Sequence, residues 1–568
     1  MDYMKAYETW LNDPYIDETT KNELQALQGN EAEIQDRFFK ELEFGTGGLR
    51  GVIGAGTNRL NIYTIRRATQ GLANYILASD AYRPGMAVAI AHDCRRMSPE
   101  FSTEAALVLN ANGIKTYIFD SLRPTPLLSF AVRELGCIAG IVVTASHNPP
   151  EYNGYKVYWS DGGQCPYPRD EAIIDEVNKI TDFAMIKTLT LADAQAQGLY
   201  HIAPPAIDDA FIAHVKSCCQ NPQIIPQSDI KIVFTPLHGA GNVSVQRALR
   251  EVGFKNVCVV TEQETPDGNF PTVSYPNPED KKAFALALKL ATEKNADIVL
   301  ATDPDADRVG VAVKHNSQYN LLSGNQLGVI LTEYLLSQIQ LKGTLPANAA
   351  VISTIVSTDM TRTIAAAYGA TYMEVLTGFK FIGEKIKEFE ESNAHSFIIG
   401  FEESYGYLTG TYARDKDAIA ASLLACEAAA HYRTQGKTLY DVLQDLYAKY
   451  GEYRESIESY TMQGVAGLAD ITRIMATLRD NPPQSLGGSQ VIEVRDYKNN
   501  TIRDVKSGAV RETNLPTSDV LYYVTADGSW ACVRPSGTEP KIKVYFGVCG
   551  GGAARMTALD TDMRGYMH

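Results

Sequence analysis

Short apolar runs recur along the chain, each stopped by a polar, turn-rich segment and followed by apolar residues at helical spacing. The runs at 86–91, 114–119, 137–143, 230–234, 256–260, 298–301, 350–354 and 396–399 are four to seven residues long and rich in Val and Ile, which predicts buried strands. Between them, 243–252, 282–293, 325–341 and 360–368 carry the 3.6-residue period of helices, and another helix starts at Arg66. The first 43 residues are mostly polar with Ile34, Phe38, Phe39 and Leu42 in helical register, so they predict helices packed on the first domain. This alternation predicts an α/β fold in three cycles. A long helical stretch at 418–450 closes the third cycle. From about residue 463 the pattern shifts to short strands (VLYYVT, SWACVRP, KIKVYFGV), which predicts a smaller α+β domain with an antiparallel sheet. With 568 residues the chain exceeds one core, and the expected boundaries are 1–205, 206–320, 321–450 and 451–568.

Composition narrows the function classes. A formal net charge of −15 disfavours nucleic acid or an anionic membrane as a partner. The N-terminus is acidic and lacks an apolar core, so a signal or transit peptide is not expected, and no run is long enough to span a bilayer. The nine cysteines have no C-x-x-C spacing, which predicts reduced thiols in a cytoplasmic protein.

In each cycle one strand ends in a polar loop, where α/β sheets place their chemistry. The first loop, in IVVTASHNPPEYNGYK at 141–156, offers Ser146 as a phosphoryl carrier, with His147 and Lys156 close in sequence. Pro149, Pro150 and the pair Asn153-Gly154 predict turns rather than continued sheet. The absence of a G-x-S-x-G elbow around Ser146 disfavours an α/β-hydrolase triad. The second loop, DPDADR at 303–308, places Asp303, Asp305 and Asp307 at alternate positions. Acids so close repel unless a cation holds them, and three carboxylates leave a small, open site. An EF-hand is excluded, because its sixth and twelfth positions would be Arg308 and Lys314.

The third loop, GFEESYG at 400–406, presents carboxylates suited to sugar hydroxyls. Arg534, Ser536, Gly537 and Thr538 in RPSGTEP combine a guanidinium, two hydroxyls and a glycine amide into an anion clamp. The glycine-dense FGTGGLRGVIGAG at 44–56 fails the dinucleotide fingerprint and reads either as a tight turn or as amides and Arg50 facing an anion.

These motifs, TASHNP with its asparagine-glycine-x-lysine sequel, FGTGGLRG, DPDADR, GFEESYG and RPSGTEP, resemble those of the α-D-phosphohexomutases, in the same order over nearly the whole chain. Gly47 stands where many relatives carry serine or alanine. The resemblance implies four domains in a heart-shaped arrangement: three homologous α/β domains with mixed sheets around a central cleft, and a C-terminal α+β domain. It implies a phosphoserine at Ser146, and Mg²⁺ held by Asp303, Asp305 and Asp307 with that phosphoserine as a further ligand. By the same resemblance Arg308, Glu402, Ser404 and Lys416 bind substrate, with Thr377 and Gly378 as a companion sugar loop, and Arg534 to Thr538 hold its phosphate. Arg50 and Lys156 would neutralise phosphoryl oxygens, and Lys156 or His147 would move the proton. The implied reaction interconverts glucose 1-phosphate and glucose 6-phosphate through a 1,6-bisphosphate, in a monomer or homodimer. Mannose or pentose phosphates are the alternative substrates. A metal-dependent sugar phosphatase would lack the second phosphate clamp, and a non-catalytic sugar-phosphate sensor would be expected to lose Ser146 or an aspartate.

Overall fold

Most of the predicted apolar runs become strands, with ends shifted by a residue or two. The structure, a computed structural model, describes residues 2–43, 48–462, 464–536 and 541–567. It divides into two units, 1–324 with 379–438, and 325–378 with 439–568.

The first unit opens with helices Tyr3–Asn12, Glu18–Gln25 and Glu31–Phe38, capped by the side chains of Asp2, Asp17 and Asn30. Their apolar faces bury Tyr7, Trp10, Leu24, Ile34 and Phe38 against Tyr63. A six-stranded sheet follows, in the order Leu49–Val52, Tyr152–Trp159, Ala139–Val143, Ala87–His92, Lys115–Ile118, Tyr200–Ile202. Ala87–His92 lies between parallel neighbours and is buried throughout, which explains its unbroken apolar run. Helices Ser98–Ala111 and Thr125–Glu134 pack against the sheet, and Ile62–Ala78, packed on Ser98–Ala111, adds Ile65, Ala68 and Leu72 to the same core.

Two expectations are corrected. Asn153-Gly154 is not a turn but the start of strand Tyr152–Trp159, in register with Gly51 and Arg50. Gly154 is needed there because a Cβ would overlap the carbonyl oxygens of Thr144 and Leu49. The helical stretch 418–450 is two helices, Ala418–Arg433 and Leu439–Tyr450, parted at Gly436 with φ 73°.

A second sheet of five strands runs Gln318–Leu322, Val309–His315, Ile298–Thr302, Lys231–Thr235, Asn256–Val259, parallel on one side and antiparallel on the other. The hairpin Ser396–Phe401 with Tyr407–Thr409 and helices Phe379–Ser392 and Ala418–Arg433 also belong to this unit.

In the second unit, strands Ala349–Thr354 and Thr371–Val375 are parallel and joined by helix Met360–Ala367. Its larger part is an antiparallel sheet in the order Tyr453–Thr461, Lys541–Cys549, Trp530–Pro535, Leu521–Thr525, Ser489–Asp496, Thr501–Asp504, Val510–Glu512. Helices Gly464–Asp480 and Gly552–Arg564 cover one face, where Leu478, Leu521, Tyr523, Val544 and Leu559 are buried together. Among the described residues no helix is long and apolar enough to cross a membrane.

Candidate active site

Strand Ala139–Val143 delivers Ser146, which is buried and held in the left-handed region at φ 52°. That conformation is unfavourable for a serine and needs outside support. Ser146 N donates to Thr144 Oγ1 at 2.8 Å, and Thr144 Oγ1 donates to Asp93 Oδ2 at 2.6 Å. Asp93 also accepts from Arg95 N at 2.9 Å and Ser98 Oγ at 3.0 Å. Arg95 is the larger brace: its guanidinium donates to the carbonyls of Ser146 (2.6 Å), Pro149 (2.8 Å) and Tyr152 (2.9 Å), and to that of Asn148. Phe270 lies against its face, 5.1 Å from ring centroid to guanidinium carbon.

So fixed, Ser146 Oγ donates to Asp303 Oδ2 at 2.6 Å and sits 3.1 Å from His147 Nδ1. The two chain neighbours therefore do face one another. Burial, with Arg308 and Arg50 nearby, holds the His147 imidazole well below its ordinary pKa, so the ring is neutral at pH 7. Tyr275 packs edge-on against it, ring centroids 5.7 Å apart. Arg50 donates from Nη1 to Asn148 Oδ1 at 3.4 Å. Phe44 to Gly47 of the same motif lie outside the described residues.

Strand Ile298–Thr302 ends in the aspartate loop. Asp303 folds it by accepting from Asp307 N (3.1 Å) and Arg308 N (3.0 Å), and Ala240 N grips Pro304 O at 2.8 Å. The three carboxylates are buried, and each offers an oxygen within 4.8 Å of the others. Asp305 Oδ2 accepts from Thr125 Oγ1 at 2.9 Å and Lys156 Nζ at 2.8 Å. Asp307 Oδ2 accepts from Lys156 Nζ at 3.2 Å and Lys416 Nζ at 3.1 Å.

Asp305 Oδ1 and Asp307 Oδ1 are buried without a hydrogen-bond donor. Bare carboxylate oxygens converging in a buried site suit a cation, so the donor set fits a hard divalent metal ion. Electrostatics agree. Burial, then Asp305 and Asp307, push the Asp303 carboxyl well above its usual range. Burial acts the same way on Asp307, but Lys416, Lys156 and Arg308 outweigh it and hold that carboxyl low. Burial opposes the charge on Lys156, and Asp305 and Asp307 more than offset it, so the ammonium is kept protonated.

The sugar-loop candidates stand beside this cluster. Arg308 forms an isolated antiparallel bridge with Gly406, and Val309 N donates to Tyr405 O at 3.1 Å, which stitches the aspartate loop to the 402–406 loop. Glu402 is buried with its N–H on Gly406 O at 2.9 Å, and Ser404 is half-buried. Arg308 Nη1 pairs with Glu279 Oε1 at 2.7 Å.

Ser146, His147, Lys156, Arg50, the aspartates, Arg308, Glu402, Ser404 and Lys416 all belong to the first unit. Thr377, Gly378, Arg534 and Ser536 belong to the second. There, Thr377 and Gly378 (φ 124°) follow strand Thr371–Val375, and Arg534 lies near the end of strand Trp530–Pro535, opposite Lys543. Ser536 N donates to Lys541 O at 2.8 Å, while Gly537 and Thr538 lie outside the described residues. Asp93, Arg95, Thr125 and Glu279 were not singled out from sequence. For the first two a signal existed, since HDCRR follows an apolar strand as the other site loops do. Thr125 and Glu279 carry none.

Four family descriptions match in order. They are phosphoglucomutase/phosphomannomutase α/β/α domain I over 41–184, domain II over 209–316, domain III over 323–450 and the C-terminal domain over 489–564. A phosphoglucomutase of Staphylococcus aureus (strain bovine RF122 / ET3-1) is 37% identical over 517 residues, covering 90% of each chain. That of strain USA300 is 37% identical over 522 residues, covering 91% of each. Among solved structures, a phosphoglucomutase/phosphomannomutase family protein from Burkholderia thailandensis superposes with a TM-score of 0.66 at 18% identity, over 92% of this chain and 96% of its own. The open form of parafusin, a Paramecium phosphoglucomutase, gives 0.68 at 19% identity, over 93% and 94%. At such identities the superpositions speak for the fold alone.

Proposed function

Because this chain belongs to the phosphoglucomutase/phosphomannomutase family, we propose that it interconverts α-D-glucose 1-phosphate and glucose 6-phosphate, with Ser146 as the phosphoryl carrier. The observation that carries the reading is the placement of Ser146 Oγ, 2.6 Å from Asp303 Oδ2 and aimed into three buried carboxylates. The bare Asp305 Oδ1 and Asp307 Oδ1 of that cluster suit a metal ion, and a hydroxyl at its mouth suits phosphoryl exchange. Asp303, Asp305 and Asp307 would hold Mg²⁺, which when bound withdraws charge from the phosphoryl oxygens.

The chain's own residues do the rest. In the phosphorylated enzyme the bond from phosphorus to Ser146 Oγ breaks as a bond to the substrate hydroxyl oxygen forms. The product of this half-reaction is glucose 1,6-bisphosphate, which turns over and returns its other phosphoryl group to Ser146. The hydroxyl's proton leaves the substrate and Ser146 Oγ gains one, and His147 Nδ1 is placed 3.1 Å from Oγ to exchange it. Lys156 and Arg50 would neutralise the equatorial oxygens in transit. Glu402 and Ser404, with Thr377 and Gly378, would read the sugar hydroxyls, while Arg308 and Lys416 steady the phosphoryl end. Arg534, Ser536, Gly537 and Thr538 would clamp the resident phosphate.

We assign these roles to domains spanning 1–205, 206–320, 321–450 and 451–568, and place the enzyme in the cytoplasm as a monomer or homodimer. Glucose is favoured as the sugar because the relatives at 37% identity are named phosphoglucomutases. The test is a steady-state comparison of glucose 1-phosphate, mannose 1-phosphate and ribose 1-phosphate with Mg²⁺ and the matching bisphosphate. The expected result is the highest kcat/KM for glucose 1-phosphate; turnover of none of the three would overturn the proposal.

A further inference from the structure

Two buried side chains that the reaction above does not use converge on Lys416. Asp415 is 2% exposed, Tyr158 0% and Lys416 7%. Asp415 spends both carboxylate oxygens within this group: Oδ1 accepts from Lys416 N (2.8 Å) and Lys416 Nζ (2.9 Å), and Oδ2 accepts from Tyr158 OH (2.6 Å). Tyr158 is two residues beyond Lys156 on the same strand, so both side chains leave the same sheet face. One reaches the aspartate triad directly, and the other reaches it through Asp415 and Lys416, whose Nζ lies 3.1 Å from Asp307 Oδ2.

The path of the lysine stem is fixed as well. It crosses Gly406, where a Cβ would overlap Cδ and approach Cγ to 2.7 Å, and its ammonium sits 5.4 Å from the Phe379 ring centroid. Gly406 is not among the glycines with positive φ, so the missing side chain there makes room for Lys416 rather than relieving the backbone.

We infer that Asp415 and Tyr158 are positioning residues: they anchor the Lys416 ammonium at the phosphoryl-transfer centre, over a track that Gly406 leaves clear. The inference rests on the mutase reading. A free lysine has four rotatable bonds and would sample the cleft, whereas the anchored one holds its charge beside Asp307 before substrate arrives. Such preorganisation lowers the barrier to transfer and leaves ground-state binding of the sugar phosphate almost alone. Tyr158 adds the orientation of Asp415, since its hydroxyl occupies the oxygen that would otherwise compete for the lysine.

The experiment compares Y158F, D415N, G406A, K416A and the doubles Y158F/K416A and G406A/K416A with wild type. Glucose 1-phosphate is the substrate, Mg²⁺ and glucose 1,6-bisphosphate are saturating, and thermal unfolding is recorded for each protein. Expected are a kcat about tenfold lower for Y158F and G406A, and lower still for D415N, with KM changed less than threefold, and doubles no slower than K416A alone. Losses that multiply in the K416A background, or that appear in KM rather than kcat, would overturn the inference. Should D415N fail to fold, Y158F and G406A decide, because each leaves the Asp415 carboxylate in place. Wild type inactive on every sugar phosphate would instead count against the mutase reading itself.

Discussion

Replacing Arg95 by methionine tests whether the serine loop is held by its brace or by its own sequence. Methionine keeps most of the buried volume and loses the charge. The change takes a donor from four carbonyls (Ser146, Asn148, Pro149 and Tyr152), of which Pro149 keeps the Tyr152 N–H at 3.1 Å, and leaves Asp93, 3.4 Å from Arg95 Nε and fully buried, without its cation. Removing one partner of a buried ion pair costs about 3–5 kcal/mol, and each orphaned carbonyl that water cannot reach adds on the order of 1 kcal/mol. Partial relaxation of the loop offsets some of this, so about 4 kcal/mol is the expected loss, or roughly a 5 °C fall in the transition of the first unit. Activity should fall more steeply than stability. Left-handed backbone at Ser146 costs about 1–2 kcal/mol, and the bond from Arg95 to Ser146 O helps hold it there. Once released, Ser146 relaxes and Oγ leaves Asp303, and a displacement near 1 Å lowers kcat about a hundredfold. Arg95→Lys, with three donors and no fork, should fall between. The assay is kcat at saturating glucose 1,6-bisphosphate, with unfolding followed by calorimetry. An Arg95→Met enzyme within threefold of wild-type kcat and with an unchanged transition would refute the reasoning.

Ser146→Ala should purify without the phosphoryl group that intact mass spectrometry finds on wild type, and should lose at least a thousandfold in mutase rate; equal phosphate content in the two proteins would remove Ser146 as carrier. Asp305→Asn deletes one of the bare carboxylate oxygens and should weaken Mg²⁺ binding at least tenfold by titration calorimetry, a measurement independent of turnover; unchanged affinity would count against the triad as the ion's ligands. Asp417, which caps helix Ala418–Arg433, is buried, and although Tyr412 and two helix amides lower its pKa, burial lifts it to about 6. The folded state then binds a proton that the unfolded carboxyl, near 3.9, has released, so this group's contribution to stability is full below about pH 4, and about 3 kcal/mol is lost as pH rises through 6. In urea unfolding between pH 4 and 7 the wild type should lose about 2 kcal/mol more than Asp417→Asn, because the other raised carboxyls titrate alike in both; parallel curves would refute it.

Much of the architecture was legible because it depends on local pattern. Buried parallel strands need unbroken apolar runs, so Ala87–His92, Ala139–Val143 and Ile298–Thr302 announced themselves, as did the loops at their ends. Helix Phe379–Ser392 carried its signal too, with Phe379, Ile382, Ile386 and Phe389 buried at helical spacing, but the sugar-loop motif at its head drew the reading away. Strand Tyr152–Trp159 was illegible for a physical reason. Asn-Gly ordinarily marks a turn, and here Gly154 serves close passage beneath Thr144 and Leu49 while Asn153 ties into Arg96 O and Ser98 Oγ, partners more than 50 residues away.

The same distinction governs the site. Residue types at strand ends were readable, but what makes them work together is contributed from far along the chain. Three buried carboxylates in five residues are unstable on their own, and the cations that make them tolerable come from Lys156, 149 residues before Asp305, and from Lys416. Lys416 in turn depends on Asp415, and Asp415 on Tyr158, 257 residues away. Hence RDKDA looks like an ordinary solvated charge run in one dimension and is a buried ion-pair network in three. Ser146 follows the same logic: its strained backbone is affordable only because Asp93, through Thr144, and Arg95 hold it from another strand end. The loops thus do not stand alone: the strand that follows the serine loop and the RDKDA segment each supply a lysine to the aspartate loop, whose carboxylates could not otherwise be buried together.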